Sequence, residues 1–153
     1  MYRYGDTQFY ATECFTLGRN GEGVSFEMRK KIPLDILAKT CLYFTSQLPY
    51  EALVRIYHKD GEYHLDIPEV IRASKVNIVV PPPDRDKGLL VCEIHSHNTM
   101  SAFFSSVDDA DEIYPGIYGV IGKLDEEIPQ MRFRVVYDAE KRRVYSKDIF
   151  EVS

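Results

Sequence analysis

Four residues between positions 95 and 108 have the types and the spacing of a metal-dependent hydrolytic site. His95 and His97 stand two apart at the end of an apolar run, residues 89–94. Alternate side chains of a β-strand point to the same face, so both imidazoles can converge on one ion. Ser105 follows after seven intervening residues, and Asp108 comes three positions later. Two imidazoles and one carboxylate form a three-ligand set, which leaves a tetrahedral zinc ion one open position for water.

The open position favours a catalytic ion over a structural one. Binding to zinc lowers the pKa of water to about 7, so the water becomes a usable nucleophile near neutral pH. Closed structural sites are rich in cysteine, and the sequence has no Cys-x-x-Cys pair. A simpler interpretation is two half-exposed imidazoles in a strand, followed by a helix with Ser105 as its N-cap and Asp108 as a first-turn acid. The residue types alone leave both interpretations open.

The complete spacing resembles the signature of the JAMM (MPN+) zinc metalloproteases, whose catalytic unit is the JAB domain. The resemblance implies that zinc is held by His95, His97 and Asp108, and that Ser105 helps to bind the carbonyl oxygen of the scissile amide. The segment Ala-Phe-Phe-Ser-Ser-Val-Asp that ends at Asp108 is similar to the deubiquitinating members. Asn98 stands where the family usually has proline. Forms with asparagine or histidine at that position are mostly bacterial, so the resemblance is to the bacterial type.

A zinc peptidase also needs a general base that takes a proton from water and passes it to the leaving amine. The family places this base, a glutamate, on the strand after the first helix, commonly two residues after a proline. Glu51 resembles that placement. Glu27 and Glu93 are competing candidates. Glu93 shares the strand face of the two histidines by alternation, so it could accept a hydrogen bond near the metal or pair with a Lys or Arg.

One helix and a series of strands must position these residues. Apolar residues at helical spacing predict a main helix between Pro33 and Pro49, with a core-facing stripe of Leu34, Leu37, Cys41, Phe44 and Leu48. An opening hairpin is predicted around the Asn20-Gly21 turn, with residues 8–17 and 24–30 as its strands. Further strands are predicted at residues 51–58, 62–67, 75–80, 117–124, 131–137 and 143–150, and the apolar run 89–94 is predicted to begin the strand that carries the two histidines.

These elements predict an α/β (α+β) fold in one domain, residues 1–153: a central mixed sheet of about seven or eight strands, one long helix and a short helix carrying Asp108. The resemblance implies the cytidine-deaminase-like MPN/JAB fold for residues 23–153. It leaves residues 1–22 as an extra N-terminal strand or hairpin. The proline-rich residues 81–88 should form an exposed loop, in the region where the family often holds the distal ubiquitin-like partner.

Other polar and glycine residues have structural interpretations. His58 and His64 are expected at the surface, and Asp109, Asp111 and Glu112 on a solvated face of the motif helix. Gly119 and Gly122 lie within a predicted buried strand and indicate close backbone approach or a bulge. The N-terminal aromatic residues could form a partner surface or pack on their own sheet, namely Tyr2, Tyr4, Phe9 and Tyr10.

Composition narrows the functional classes. The net charge is -5 and the pI about 5.4, which argues against a nucleic-acid partner. No apolar run approaches the roughly 20 residues of a membrane span, and the first residues lack the pattern of a signal peptide. Three cysteines far apart fit reduced thiols better than a disulfide framework. These features predict a cytoplasmic protein.

The function that the resemblance implies is cleavage after the C-terminal glycine of a ubiquitin-like protein, in a conjugate or in a precursor, by a Zn2+-dependent isopeptidase or peptidase. The expected partner is that ubiquitin-like protein or its conjugate. Two alternatives stay open: a catalytically inactive MPN scaffold, and a zinc peptidase acting on small peptides or sulfur-carrier protein adducts. The segment that holds the proximal partner in eukaryotic deubiquitinases looks minimal in this chain.

Overall fold

The structure, a computed structural model, describes residues 2–4, 7–112 and 114–152. Its strands and helices follow the chain in the order β1 (Tyr2–Tyr4), β2 (Thr7–Ala11), β3 (Phe15–Asn20), β4 (Gly23–Met28), α1 (Leu34–Gln47), β5 (Leu53–Lys59), β6 (Glu62–Asp66), β7 (Arg72–Ala73), β8 (Ile78–Val79), β9 (Leu89–Ser96), α2 (Ser106–Asp111), β10 (Gly116–Gly122), β11 (Gln130–Tyr137), β12 (Glu140–Val144) and α3 (Ser146–Ile149).

The strand that ends with His95 and Ser96, β9, lies inside a six-stranded mixed sheet of order β12-β11-β10-β9-β5-β6, and His97 follows it directly. Strand β9 pairs in parallel with β10 and antiparallel with β5. The register of β5 against β9 shifts at a bulge between Ile56 and Tyr57. Strand β10 is buried at every position and β9 at half of its positions, as expected of strands in the centre of a sheet. The predicted α+β architecture with a central mixed sheet is confirmed.

The main helix α1 is confirmed, with a small rotation of its buried face. Phe44 is fully buried and Leu37 nearly so, as the stripe predicts. Leu34 is 39% exposed, whereas Ile36 and Thr40 are buried. The Thr40 hydroxyl donates a hydrogen bond to the Ile36 carbonyl at 2.9 Å, so this polar side chain can lie on the core-facing side of the helix.

The first four strands form a separate antiparallel sheet, β1-β2-β3-β4, and the central sheet has six strands rather than seven or eight. The predicted single strand over residues 8–17 is broken by a turn at Thr12. The Thr12 Oγ1 accepts hydrogen bonds from the backbone N–H groups of Cys14 and Phe15, at 3.1 and 3.0 Å. This side-chain turn competes with strand pairing and reverses the chain. The boundary between an extra segment of residues 1–22 and a core from residue 23 falls inside the β3–β4 hairpin, and stays a prediction.

Several predicted elements are shorter than the sequence indicates. The strand predicted at residues 75–80 is the two-residue β8, paired with β7. The strand predicted at residues 143–150 is wrong over most of its length: β12 ends at Val144, and residues 146–149 form α3, which the Asp148 carboxylate caps by accepting from the Tyr145 N–H at 2.9 Å. The proline-rich loop over residues 81–88 is confirmed, with a 3-10 turn at Arg85–Lys87. No helix in the described ranges is both long and apolar enough to cross a membrane.

The N-terminal aromatic patch is described only at Tyr10. The side chains of Tyr2, Tyr4 and Phe9 lie outside the described part of the structure. Tyr10 is half-buried and meets Phe15 edge to face, with ring centroids 6.1 Å apart. At this residue, packing onto its own sheet is the interpretation that the structure favours.

Candidate metal centre

The structure brings His95, His97 and Asp108 together, with one donor atom from each inside a span of 4.8 Å. Nε2 of His95 lies 3.3 Å from Nε2 of His97 and 3.4 Å from Oδ1 of Asp108. Ligand bonds of about 2.05 Å at a tetrahedral ion separate neighbouring donors by about 3.3 Å. The two measured separations therefore match the edges of a tetrahedral site, and the group could hold a metal ion.

His97 is oriented by its backbone neighbours. Its N–H donates to the Ile121 carbonyl at 2.9 Å, which extends the β9–β10 pairing past the end of the strand. Nδ1 lies 3.2 Å from the Ser101 carbonyl, so the neutral ring carries its proton on Nδ1 and presents the Nε2 lone pair toward His95. The Phe103 ring packs edge-on at 4.6 Å. Burial and the neighbouring His95 lower the pKa of His97.

Asp108 serves the helix and the candidate centre at the same time. Its Oδ2 accepts from the Ser105 N–H at 2.7 Å, and the Ser105 Oγ accepts from the Asp108 N–H at 3.2 Å. This is the capping box that the simpler interpretation predicts. Oδ1 remains available toward His95. Burial alone would raise the pKa of Asp108, but the hydrogen bond and charge of His95 outweigh it and lower the pKa to about 2.

The pKa of His95 shifts in the direction opposite to that of Asp108. Burial disfavours its protonated form, yet the hydrogen bond and charge of Asp108, with a further contribution from Glu51, raise its pKa above the ordinary value. In the metal-free protein, His95 and Asp108 therefore form an ion pair over a wider pH range than an isolated histidine would allow.

A tight backbone contact fixes the loop between the histidines and the helix. A Cβ atom on Gly122 would overlap the Met100 carbonyl and approach the Ala102 N to 2.7 Å. The neighbouring Lys123 N–H donates to the same Met100 carbonyl at 2.7 Å. The predicted close approach at Gly122 is confirmed, because the loop lies directly on the end of β10. Gly119 makes a similar approach to the Phe133 ring.

Glu51 lies just before β5, on the side of the sheet that carries the histidines. Leu53 pairs with His95 in register, and alternation places Glu51 on the same face as Leu53. The alignment continues through Ala52 and Ser96: the Ser96 N–H donates to the Ala52 carbonyl and the Ser96 Oγ accepts from the Ala52 N–H, both at 2.8 Å. Glu51 is 7% exposed.

The environment of Glu51 suits proton transfer near neutral pH. Burial raises its pKa to about 7, with the positive charge of His95 opposing and the negative charge of Asp108 reinforcing the shift. A general base is most effective when its pKa lies near the working pH.

Of the competing glutamates, one is paired with an arginine and the other lies in a different sheet. Glu93 accepts from the Arg55 Nε at 2.9 Å, so the expected ion pair with an arginine is the arrangement found. Glu27 is exposed on β4, in the separate N-terminal sheet.

Arg134 is the residue of this region that the sequence analysis missed. From β11 it donates to both carboxylate oxygens of Glu112, at 2.8 and 2.7 Å, and its Nη2 lies 2.9 Å from Asp109. Its guanidinium also stacks on the Phe104 ring at 3.9 Å. Glu112 is therefore buried, and the expectation that it lies on a solvated face is wrong. Alternation gave no signal for it, because Arg134 occupies a regular polar position of its strand, as Arg132 does.

His58 is also buried, and its predicted surface position is wrong. The segment after β4 covers it: Nζ of Lys30 lies 3.3 Å from His58 Nε2, and the Tyr63 ring packs against it at 4.9 Å. His64 is exposed as expected. Neither joins the metal-ligand group.

An open groove of about 470 Å³ runs along this face of the sheet. We call it the β8 groove; it is lined by Leu53, Arg55, Asn77, Ile78, Val79, Val80, Pro81, Pro82, Pro83, Leu90, Glu93, Asp111, Tyr114 and Tyr118. Leu53 is the register partner of His95, and Asp111 belongs to the helix that carries Asp108. The groove therefore borders the elements that position His95 and Asp108.

Comparison with known proteins identifies the family. The family model described as prokaryotic homologs of the JAB domain matches residues 37–137, which is more than half of the chain. The chain belongs to this family. The solution structure of protein DSY2949 from Desulfitobacterium hafniense matches with a TM-score of 0.59 at 13% identity, over 74% of this chain and 88% of that one, and shows a shared fold. A search of the curated proteins finds no match.

Proposed function

We propose that this JAB-domain chain is a zinc-dependent peptidase that cleaves the peptide or isopeptide bond after the C-terminal glycine of a ubiquitin-like protein. The single observation that carries the proposal is the convergence of His95, His97 and Asp108 at tetrahedral spacing. A buried glutamate on the same sheet face supports it.

The donor set fits zinc. Two imidazole nitrogens and one carboxylate oxygen are the protein ligands of several catalytic zinc sites, and zinc, when bound, would polarise a carbonyl group and acidify water. The Nδ1 contact of His97 with the Ser101 carbonyl is the supporting hydrogen bond that zinc-ligating histidines usually have.

Glu51 and Ser105 have the remaining roles. Glu51, with a pKa of about 7, takes a proton from the attacking water and later donates it to the departing amine. The Ser105 Oγ uses its lone pairs to accept from the Asp108 N–H, so its hydroxyl proton stays available for the oxyanion that develops on the scissile carbonyl.

The β8 groove supports an extended peptide as the substrate. It lies along the sheet face and borders the elements that position His95 and Asp108. We propose that a chain lying in it extends to the site and presents a backbone amide there. The family resemblance supplies the identity of that peptide, the glycine-ended tail of a ubiquitin-like protein. The prolines of residues 81–83 line the groove, which supports the proposal that this region contacts the partner.

One observation favours a second function, an inactive scaffold. Ser105 and Asp108 form a complete capping box, so both residues have a structural role without any metal. The scaffold proposal predicts that the purified protein neither contains zinc nor takes it up.

The deciding experiment measures zinc content and cleavage together. The protein is purified, its zinc is quantified by mass spectrometry, and it is incubated with a ubiquitin-like protein fused through its C-terminal Gly-Gly to a reporter. We expect near-unit zinc and release of a product ending in Gly-Gly. His97→Ala should lose zinc and activity, while Glu51→Gln should keep zinc and lose about 10²–10⁴-fold in rate.

A matched carboxylate control distinguishes the base. Glu93→Gln removes a carboxylate that lies on the same face but is held by Arg55. If Glu93→Gln abolishes cleavage and Glu51→Gln does not, Glu51 is not the base. A zinc-free protein that does not bind added zinc would refute the peptidase.

A further inference from the structure

The hairpin formed by β7 and β8 belongs to neither of the larger sheets. In the part of the chain that the structure describes, two hydrogen bonds join its turn to other elements. The Ser74 carbonyl accepts from the Glu51 N–H at 2.8 Å, and the Lys75 carbonyl accepts from Nδ2 of Asn98 at 2.8 Å.

Both connections end at the candidate metal centre. Glu51 is the proposed base, and Asn98 directly follows the ligand His97. The strand β8 at the other side of the same hairpin lines the β8 groove. One short element is therefore fastened to the centre at its turn and borders the groove with its second strand.

Asn98 has an unfavourable backbone conformation and an unpaired side-chain oxygen. Its φ of 56° lies in the left-handed region, its side chain is buried, and its backbone carbonyl accepts from the Leu124 N–H at 2.9 Å. Its Oδ1 is buried without a hydrogen-bond partner among the described residues. Left-handed backbone and an unpaired buried acceptor both lower stability, so their presence requires a reason.

The side-chain donor of Asn98 supplies that reason. A proline has a φ of about −65° and no side-chain donor, so it could neither take this backbone conformation nor reach the Lys75 carbonyl. An aspartate tolerates the same φ, but it would place a carboxylate oxygen against the Lys75 carbonyl oxygen, and both are acceptors.

We propose that Asn98 is a positioning residue, whose side-chain amide holds the β7–β8 hairpin against the metal centre so that the β8 groove keeps its shape for an extended peptide. The inference rests on the proposed function for the identity of that peptide. Asn98 contacts neither a ligand atom nor the reacting bond. Its loss should therefore weaken substrate binding and leave metal binding and the chemical step largely intact.

The test compares Asn98→Asp and Asn98→Gly with wild type, all loaded with zinc. Asn98→Asp keeps the size and replaces the donor, while Asn98→Gly removes the side chain and permits the positive φ. Asn20→Asp is the matched control for charge, since Asn20 accepts from the Glu22 N–H at 2.8 Å in a distant turn. The readouts are amide hydrogen exchange of residues 72–79, zinc content, and KM and kcat for the ubiquitin-like fusion.

We expect both Asn98 variants to show about tenfold faster exchange in residues 72–79, about tenfold higher KM, kcat within about twofold of wild type, and full zinc content. Unchanged exchange would overturn the proposal, as would faster exchange with an unchanged KM. A parallel loss of zinc would also overturn it, because Asn98 would then act through His97. If wild type cleaves nothing, the proposed peptidase fails, and the exchange result still decides whether Asn98 holds the hairpin.

Discussion

Asp108 contacts His95 through the carboxylate oxygen that the helix cap does not use. Oδ1 of Asp108 lies 3.4 Å from Nε2 of His95, while Oδ2 accepts a hydrogen bond from the Ser105 N–H at 2.7 Å. One carboxylate therefore links the helix cap to the candidate metal centre. The two roles can be separated because they use different oxygen atoms.

Replacing Asp108 by asparagine or alanine should separate the two roles. Asparagine keeps an oxygen that can cap α2 but removes the negative charge, so zinc affinity should fall at least about 100-fold and the metal-free protein should lose the ion pair with His95 but not the cap. Alanine removes the cap as well, which should lower the free energy of unfolding by about a further 1 kcal/mol. Zinc titration and urea unfolding of both variants measure these effects. Equal metal-free stability of the two variants would show that the cap contributes nothing.

Glu51→Gln should stabilise the metal-free protein in a pH-dependent way. The folded-state pKa of Glu51 is about 7 against an ordinary 4.5, so between these values the folded state binds more protons than the unfolded state. Stability of wild type therefore falls as pH rises through this window, by up to about 3 kcal/mol. Gln cannot ionise, so the variant should match wild type near pH 4 and exceed it at pH 8.

Urea unfolding of both proteins at pH 4, 6 and 8, with a chelator present, measures this difference. The matched control is Glu93→Gln, which breaks the contact with Arg55 and should destabilise at pH 8. A constant difference between Glu51→Gln and wild type at all three pH values would contradict the buried, high-pKa glutamate.

Gly122→Ala should disturb the metal centre from a distance. The added methyl group would overlap backbone atoms of Met100 and Ala102, which cannot move without shifting the loop that follows His97. We expect a lower melting temperature and at least about tenfold weaker zinc binding. The control is Gly116→Ala at the other end of β10, where the nearest atom to a Cβ is the Val91 carbonyl at 3.8 Å. Similar behaviour of the two alanine variants would rule out the tight contact.

Arg134→Ala should destabilise the short helix more than loss of a surface charge would. It leaves Glu112 buried without its bidentate partner and removes the contact with Phe104. The expected loss is about 3–5 kcal/mol, with zinc affinity falling alongside because Asp108 lies on the same helix. Arg132, two residues earlier on β11, is the matched control, since its guanidinium only donates to the adjacent Met131 carbonyl. Thermal unfolding and zinc titration compare the two variants.

The sequence was sufficient for the features that local chemistry determines. Alternation predicted that His95 and His97 share a face, and the spacing of Ser105 and Asp108 predicted the capped helix; the structure brings Asp108 to the two histidines. The main helix and the close approach at Gly122 also followed from local pattern. In each case the determining residues lie within a few positions or along one element.

The features that the sequence did not predict depend on contacts between distant segments. Arg134 is 22 residues from Glu112, and no periodicity relates the two. His58 looked exposed because its neighbours are polar, yet Lys30, in the segment after β4, covers it. The break at Thr12 arises from a hydroxyl that competes with pairing, which alternation of apolar residues cannot show.

The bulge between Ile56 and Tyr57 has a practical consequence for anyone altering this chain. The irregularity lies toward the β5–β6 turn, whereas the pairs from Arg55 and Glu93 down to Leu53 and His95 stay in regular alignment. Extra length introduced at the exposed turn around Gly61 can be absorbed on the distal side of that bulge. Epitope tags or grafted peptides are therefore best inserted there, where they leave the separation of Glu51 from the histidines as it is.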